Sequence, residues 1–277
     1  MPHRPIITLT TDFGLNDHFV GTIKGVILNI LPQAEIVDIC HTVQAFDILD
    51  GALALAHSYR YYPSGTVHLV IVDPGVGSAR RPIIASSEEH NFVAPDNGVL
   101  SLMYAREERL SVRHITSDHY FLQPMSNTFH GRDIFAPVAA YLAKGVNHEK
   151  FGEEISDYVR FNAPKPKAVD AKTLRGVVLR VDRFGNMITN FTPEDVPAMF
   201  EGKAPAFKMM VGKREIAKLQ QNYAEGAPGE VFAILGSMGY VEIAANRGSA
   251  AQLLGVGKGT EVLISLEGAA AVSNGTD

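Results

Sequence analysis

Cysteine, tryptophan and long apolar or basic runs are what this chain lacks. Cys40 is the single cysteine in 277 residues and tryptophan is missing altogether. An internal disulfide and a cysteine-based metal site are therefore excluded. The place of Cys40 at the end of the apolar segment Glu35-Ile-Val-Asp-Ile-Cys40 predicts a half-buried structural thiol. No Lys/Arg run stands out and the formal net charge is −5, so no nucleic-acid partner is expected. No apolar run approaches the ~20 residues that span a bilayer, and no membrane partner is expected. The opening Met1-Pro-His-Arg-Pro-Ile6 lacks the apolar stretch of a signal peptide, which gives a cytoplasmic expectation.

What is present is ordinary globular composition, 46% hydrophobic and 20% charged, with ample chain to bury a core. Within an expected N-terminal domain of residues 1–162, residues 1–145 alternate between two periods. Strand-like runs cover 6–9, 36–39, 67–72, 82–86, 91–93 and 110–115, and helix-period stretches cover 17–31, 47–61 and 132–142. That alternation predicts an α/β domain with a mainly parallel sheet covered on both faces. Gly21 and Gly25, one helical turn apart, are expected to let the first helix approach a neighbour closely. A proline-broken, basic linker is expected over 163–173. Short turn-separated β runs follow at 174–181, 187–191, 206–211, 231–235, 240–244 and 260–265. They predict a C-terminal small β-barrel domain over 174–266. Residues 267–277 read as a tail.

Four stretches carry chemistry. Asp12-Phe13-Gly14 repeats the magnesium-binding tripeptide of protein kinases. That reading needs a glycine-rich loop, a strand lysine and an H-R-D loop upstream, and none of these precedes Asp12 here. A carboxylate at a strand end remains, able to accept from both hydroxyls of a ribose. Asp17 can share that work or cap its helix. In Val72-Asp-Pro-Gly-Val-Gly-Ser-Ala-Arg80 a dinucleotide fingerprint would need its third glycine at Arg80, so a phosphate cradle is disfavoured. Asp73 and Arg80 can instead pair across the loop, or Asp73-Pro74-Gly75 can be a plain turn. His130, within Thr128-Phe-His-Gly-Arg-Asp133, sits at a helix start, where the dipole disfavours imidazolium. A neutral imidazole suits a general base, while a loop hydrogen bond is the plainer use. Asp12, Asp17 and His130 could group round a metal, but no spaced ligand motif such as H-x-x-x-H is present, and no metal is expected. In Asp182-Arg-Phe-Gly-Asn186 an aromatic beside an amide can hold a purine, or the run is a turn. Ser237 lies in a second such turn and can face a ligand.

Taken in order, these stretches resemble the S-adenosyl-L-methionine (SAM) hydrolase, adenosine-forming, also called SAM hydroxide adenosyltransferase, family. Its relatives are the SAM-dependent fluorinases and chlorinases. The resemblance runs from about Ile6 to Leu266. It implies hydrolysis of SAM to adenosine and L-methionine without a cofactor, SAM being the substrate. It also implies a homotrimer with substrate between one subunit's N-terminal domain and its neighbour's C-terminal domain. By position, the catalytic residues fall on Asp73, Arg80 and His130, and the ribose contact on Asp12, with Asp17 beside it. The adenine and methionine contacts fall near Phe46, Asp182, Phe184, Asn186, Ser237, Ala245 and Asn246. Halogenating relatives carry tyrosines where this chain has Asp73 and His130, and the fluorinases an inserted loop not seen here, which favours water over halide. They also place an arginine for the methionine carboxylate where Met238 stands. Arg81 beside Arg80 leaves two guanidinium groups to choose between. A SAM-dependent halogenase and a non-catalytic adenosine- or SAM-binding module are the alternatives.

Overall fold

The computed structural model describes residues 4–200 and 207–266, so the expected tail lies outside the described residues. The chain divides into two units, Met1–Asn162 and Ala163–Asp277. No helix among the described residues is long and apolar enough to cross a membrane.

The first unit runs β1 (Ile6–Thr11), α1 (Phe19–Ile30), β2 (Glu35–Cys40), α2 (Ile48–Ala56), β3 (Val67–Ile71), β4 (Pro82–Ser86), β5 (Asn91–Pro95), α3 (Ser101–Tyr104), β6 (Ser111–His114) and α4 (Ala136–Ala143). Its sheet has the order β2-β1-β3-β5-β4-β6. The ladders from β2 to β5 are parallel, and β4 pairs antiparallel with both neighbours. The alternation in β3 shows why the sheet is covered twice. Val67, Leu69 and Ile71 join Ile23, Ile27 and Val138 on the α1/α4 face. Val70 joins Leu55 and Met103 on the α2/α3 face. The apolar residues of β3 thus pack toward helices on both faces, as a buried parallel sheet demands.

Two local expectations change. The residue preceding α1 is His18, with no side-chain cap, so Asp17 does not cap that helix. A Cβ built on Gly21 or Gly25 meets nothing within 4 Å, and both glycines are exposed. The glycine that admits a close neighbour is Gly51 in α2, where a Cβ would lie 2.8 Å from Val72 Cγ2. Helix-period spacing marks a face but not its partner, which is why the wrong pair stood out.

The second unit runs β7 (Lys167–Ala168), β8 (Thr173–Val181), β9 (Met187–Thr189), β10 (Phe207–Val211), β11 (Arg214–Ile216), β12 (Leu219–Gln220), β13 (Val231–Leu235), β14 (Val241–Ala245), α5 (Ala250–Leu254) and β15 (Glu261–Leu266). β7 lies inside the expected linker and pairs with β8. The main strand order is β11-β10-β15-β8-β9-β14-β13-β12. Its two ends, β11 and β12, are consecutive in the chain with only Ala217 and Lys218 between them. The sheet therefore curls round on itself as a half-barrel, its two edge strands linked through the chain. Leu174, Val178, Met187, Phe191, Met209, Ile243 and Ile264 fill the interior.

Candidate active site

β1 and β3 are parallel neighbours, so the residues that follow them leave the sheet at the same edge. Asp12 directly follows β1 and Asp73 comes two residues after β3, the usual ligand edge of such a sheet. Asp73 is met by Arg80, whose Nε donates to Oδ1 and Oδ2 at 3.0 and 2.9 Å. Arg80 Nη2 donates to Asp73 Oδ2 at 2.5 Å and to His130 Nδ1 at 2.8 Å. The side chains of Arg80 and Asp73 are only 8% and 5% exposed, and the guanidinium also lies over the Phe135 ring. The loop between Asp73 and Arg80 is pressed onto the segment that carries His130. A Cβ on Gly77, with φ +77°, would sit 2.3 Å from the carbonyl oxygen of Asn127. Glycine at this position lets the two loops meet, and the three functional groups meet as a result.

The chain of bonds fixes the imidazole. A guanidinium has no acceptor, so His130 Nδ1 must accept and the hydrogen must sit on Nε2. That Nε2 is buried without a partner among the described residues. Burial first, and Arg80 second, hold His130 below its ordinary pKa. The direction is the one expected for a neutral imidazole, with burial and Arg80 as its causes rather than the helix dipole. The expected base role is absent, because the free nitrogen is a donor. Arg81 turns away to Asp96 and Asp157, at 2.7 and 2.8 Å, so Arg80 is the guanidinium of the site.

Asp73 and His130 line a cavity of about 130 Å³ with Phe13, Phe19, Phe129 and Thr128. With Ile71 and Val76 its walls are mostly apolar, and only the arginine-bound carboxylate, the imidazole and a hydroxyl are polar. Asp12 lies near enough to Asp73 for the like charge to add to burial in raising its pKa. One Asp12 oxygen, Oδ2, accepts the backbone N–H of Phe46 at 2.9 Å. Phe46 holds φ +67° and is 72% exposed, a conformation unusual for an aromatic residue. Asp17 is exposed and does not line the cavity. Among the described residues no acid–histidine group could hold a metal.

The second unit has its own, larger cavity of about 890 Å³, lined by Asp182, Phe184, Asn186, Ser237 and Ala245 among others. Asp182 is occupied by its turn: Oδ1 accepts from Phe184 and Asn186 backbone N–H, and Oδ2 from Asn186 Nδ2. It shapes the turn that presents the exposed Phe184 ring. Asn246 is diverted as well, its Nδ2 donating to Gly226 O at 2.7 Å, and its neighbours Ala245 and Arg247 line the cavity instead. The sequence reading missed Tyr223, Glu242 and Arg247 here and Phe13, Phe19 and Phe129 in the first unit. An acid inside the apolar run Val241-Glu-Ile-Ala-Ala245 was a usable signal for Glu242; Tyr223 gave none.

A mainly parallel α/β domain with an acid–guanidinium–imidazole set, followed by a β-barrel with an aromatic–amide cavity, defines the class. The chain belongs to the SAM hydroxide adenosyltransferase family: the family's N-terminal domain matches residues 7–152 and its C-terminal domain residues 176–263. It is 36% identical to the (R)-S-adenosyl-L-methionine hydrolase of Salinispora tropica, over 96% of this chain and 99% of that one. It is 35% identical to the hydrolase of the same name from Thermus thermophilus, over 94% and 98%. A fluorinase from Nocardia brasiliensis is 29% identical over 95% and 97%. The crystal structure of an uncharacterized conserved protein from Thermotoga maritima superposes with a TM-score of 0.84 at 37% identity, covering 94% of this chain and 99% of that one.

Proposed function

We propose that this protein hydrolyses SAM to adenosine and L-methionine by attack of water at the ribose C5′. The observation that carries the proposal is the buried Asp73–Arg80–His130 set beside a small, mostly apolar cavity. The sulfonium of SAM leaves as a neutral thioether, so departure needs neither an acid nor a metal. Water is the difficult partner, with a pKa of about 15.7 in bulk. Nε2–H of His130 is placed to donate to the attacking oxygen, and Arg80 supplies positive charge behind it. Asp73, the anionic member, is the acceptor for the proton. Holding the water in an apolar-walled cavity supplies the proximity contribution.

Asp12 in this reading holds the ribose diol, and Phe184 and Asn186 take the adenine by stacking and an edge hydrogen bond. No metal and no cofactor takes part. The active form is a homotrimer in which the N-terminal domain of one subunit and the C-terminal domain of its neighbour hold SAM together. Asp73 and His130 stand where halogenating relatives carry tyrosine, which supports water over halide. Incubating purified protein with SAM, with and without chloride, and weighing the products tests the proposal. Adenosine and methionine are expected in both. A 5′-chloro product would make it a halogenase, and tight binding without turnover a binding module.

A further inference from the structure

Two buried polar residues behind Asp12 have no part in the chemistry proposed above, and they are bonded to each other. Thr11 ends β1 and is 1% exposed; His41 directly follows β2 and is 5% exposed. β1 and β2 are parallel neighbours whose register slips between Leu9 and Thr10, so that Thr10 pairs with Cys40. Irregularities of this kind re-aim side chains, and here His41 Nδ1 lies 2.9 Å from Thr11 Oγ1. On the other side of the ring, Nε2 is 3.0 Å from Asp38 Oδ1, and Lys24 holds Asp38 Oδ2 at 2.6 Å. The Nε2 contact is too far off line for a hydrogen bond, yet a carboxylate so close draws the ring hydrogen to that nitrogen. Nδ1 is then the acceptor and the Thr11 hydroxyl donates to it. The lone pairs of Oγ1 remain for a donor, which the Phe13 N–H supplies at 3.3 Å. His41 acts a second time through its carbonyl oxygen, which accepts the Gly14 N–H at 2.7 Å.

Asp12 stands inside this set of bonds. The sheet ladder stops at Thr11, and past it the chain is held at Phe13 through Thr11 and at Gly14 through His41. The Asp12 carboxylate is tied at Oδ2 by the Phe46 N–H, and the backbone on either side sets where the group points. We infer that His41 and Thr11 are positioning residues, which fix the Asp12 carboxylate in the orientation that receives a vicinal diol. This rests on the ribose role of Asp12 in the proposed SAM hydrolysis. Neither side chain lines the cavity beside Asp73 and His130, so both act through Asp12 and touch no substrate. A carboxylate accepts from two adjacent hydroxyls in a narrow range of orientations. A loop that wanders therefore loses the diol before it loses the base.

The experiment measures by calorimetry the binding of adenosine and of 2′,3′-dideoxyadenosine, which lacks the diol, to wild type, Asp12→Asn, Thr11→Val, Thr11→Ser and His41→Ala. Wild type should prefer adenosine by about 30-fold or more, the usual effect of hydrogen bonds to a charged acceptor. Asp12→Asn sets the floor of that preference. T11V keeps the shape and removes the hydroxyl, and H41A removes the imidazole. Each should bring the preference down to about five-fold or less, the coupling expected within one hydrogen-bonded network. Dideoxyadenosine should bind each of them as it binds wild type. T11S, which keeps the hydroxyl, should keep most of the preference. A merely structural role would weaken both nucleosides alike and leave their ratio unmoved. That result, or an unmoved ratio in both T11V and H41A, overturns the inference. So does a wild type that fails to prefer adenosine. SAM cleavage is scored separately: a wild type that shows the diol preference but leaves SAM whole refutes the hydrolysis and not the positioning.

Discussion

The two cavities are built on opposite plans. In the first unit about 130 Å³ is enclosed by side chains that already hold one another: Arg80 reaches Asp73 and His130 at once, and none of the three needs a ligand to find its partner. In the second unit about 890 Å³ is lined by groups that wait: Phe184 is 77% exposed, Glu242 forms no ion pair among the described residues, and Arg247 holds a positive φ at the cavity wall. Attack on C5′ requires a few atoms at fixed separations, so the cost of ordering them is met in folding. Recognition can tolerate groups that settle on the ligand. The titratable residues are divided in the same way. All ten histidines of the chain fall within residues 1–162, and burial depresses His68, His90 and His130 there.

The largest expected effect breaks the preassembled side. Arg80→Ala leaves Asp73 buried without its counter-charge and His130 without the donor that fixes its tautomer. Turnover should fall by about 10⁴-fold or more, and the first unit should lose about 3–5 kcal/mol of stability. Arg81→Ala, which breaks a pair turned away from the site, should leave kcat within a few-fold; an equal loss would mean that Arg80 is not the site's guanidinium. Asp73→Ala and His130→Ala should each lower kcat by about 10²–10⁴-fold while SAM binding stays measurable. Near-wild-type rates in both would end the catalytic assignment.

On the recognition side, Phe184→Ala should raise KM for SAM about ten-fold by removing a stacking surface, with kcat nearly constant. A fall in kcat alone would place Phe184 with the chemistry. The next effect compares the units by acid. His68 is fully buried and its pKa is lowered to about 3. Below its ordinary value of about 6.5 the unfolded chain binds a proton that the folded chain refuses. His68 therefore favours the fold fully above that value and progressively less as pH falls toward 3, by about 1.4 kcal/mol per pH unit inside the window. The second unit has no histidine. Calorimetry at pH 7 and pH 5 should show the first unit's transition moving down and the second's staying; equal shifts would contradict this. The smallest expected effect is none at all: extensive chelation should leave SAM cleavage intact, and recovery of a lost activity by one divalent ion would revive a metal site at Asp12.

Much of the fold was legible because buried parallel strands and amphipathic helices write their periods plainly, and β3 is apolar at every position but His68. The two-residue strands β7 and β12 were not, since so short a pair has no period to read. Asp73, Arg80 and His130 could be named from their motifs, but the sequence did not say which ring nitrogen of His130 is free, because that depends on a guanidinium fifty residues away. The same holds for Asp182 and Asn246, whose side chains could have faced a ligand and are used by local turns instead. Glu242 was missed although it interrupts the apolar run Val241–Ala245, because an acid in a strand is ordinarily taken as solvent-facing.

The central claim is that the preassembled set delivers water directly to C5′ from the side opposite sulfur. SAM stereospecifically deuterated at C5′, cleaved in ¹⁸O-labelled water, tests it most directly. The account predicts one ¹⁸O on the 5′ oxygen of adenosine and inverted configuration at that carbon. Retention would show two displacements, through an adenosyl ester such as one on Asp73, and adenosine without label would show that C5′ is not where water attacks.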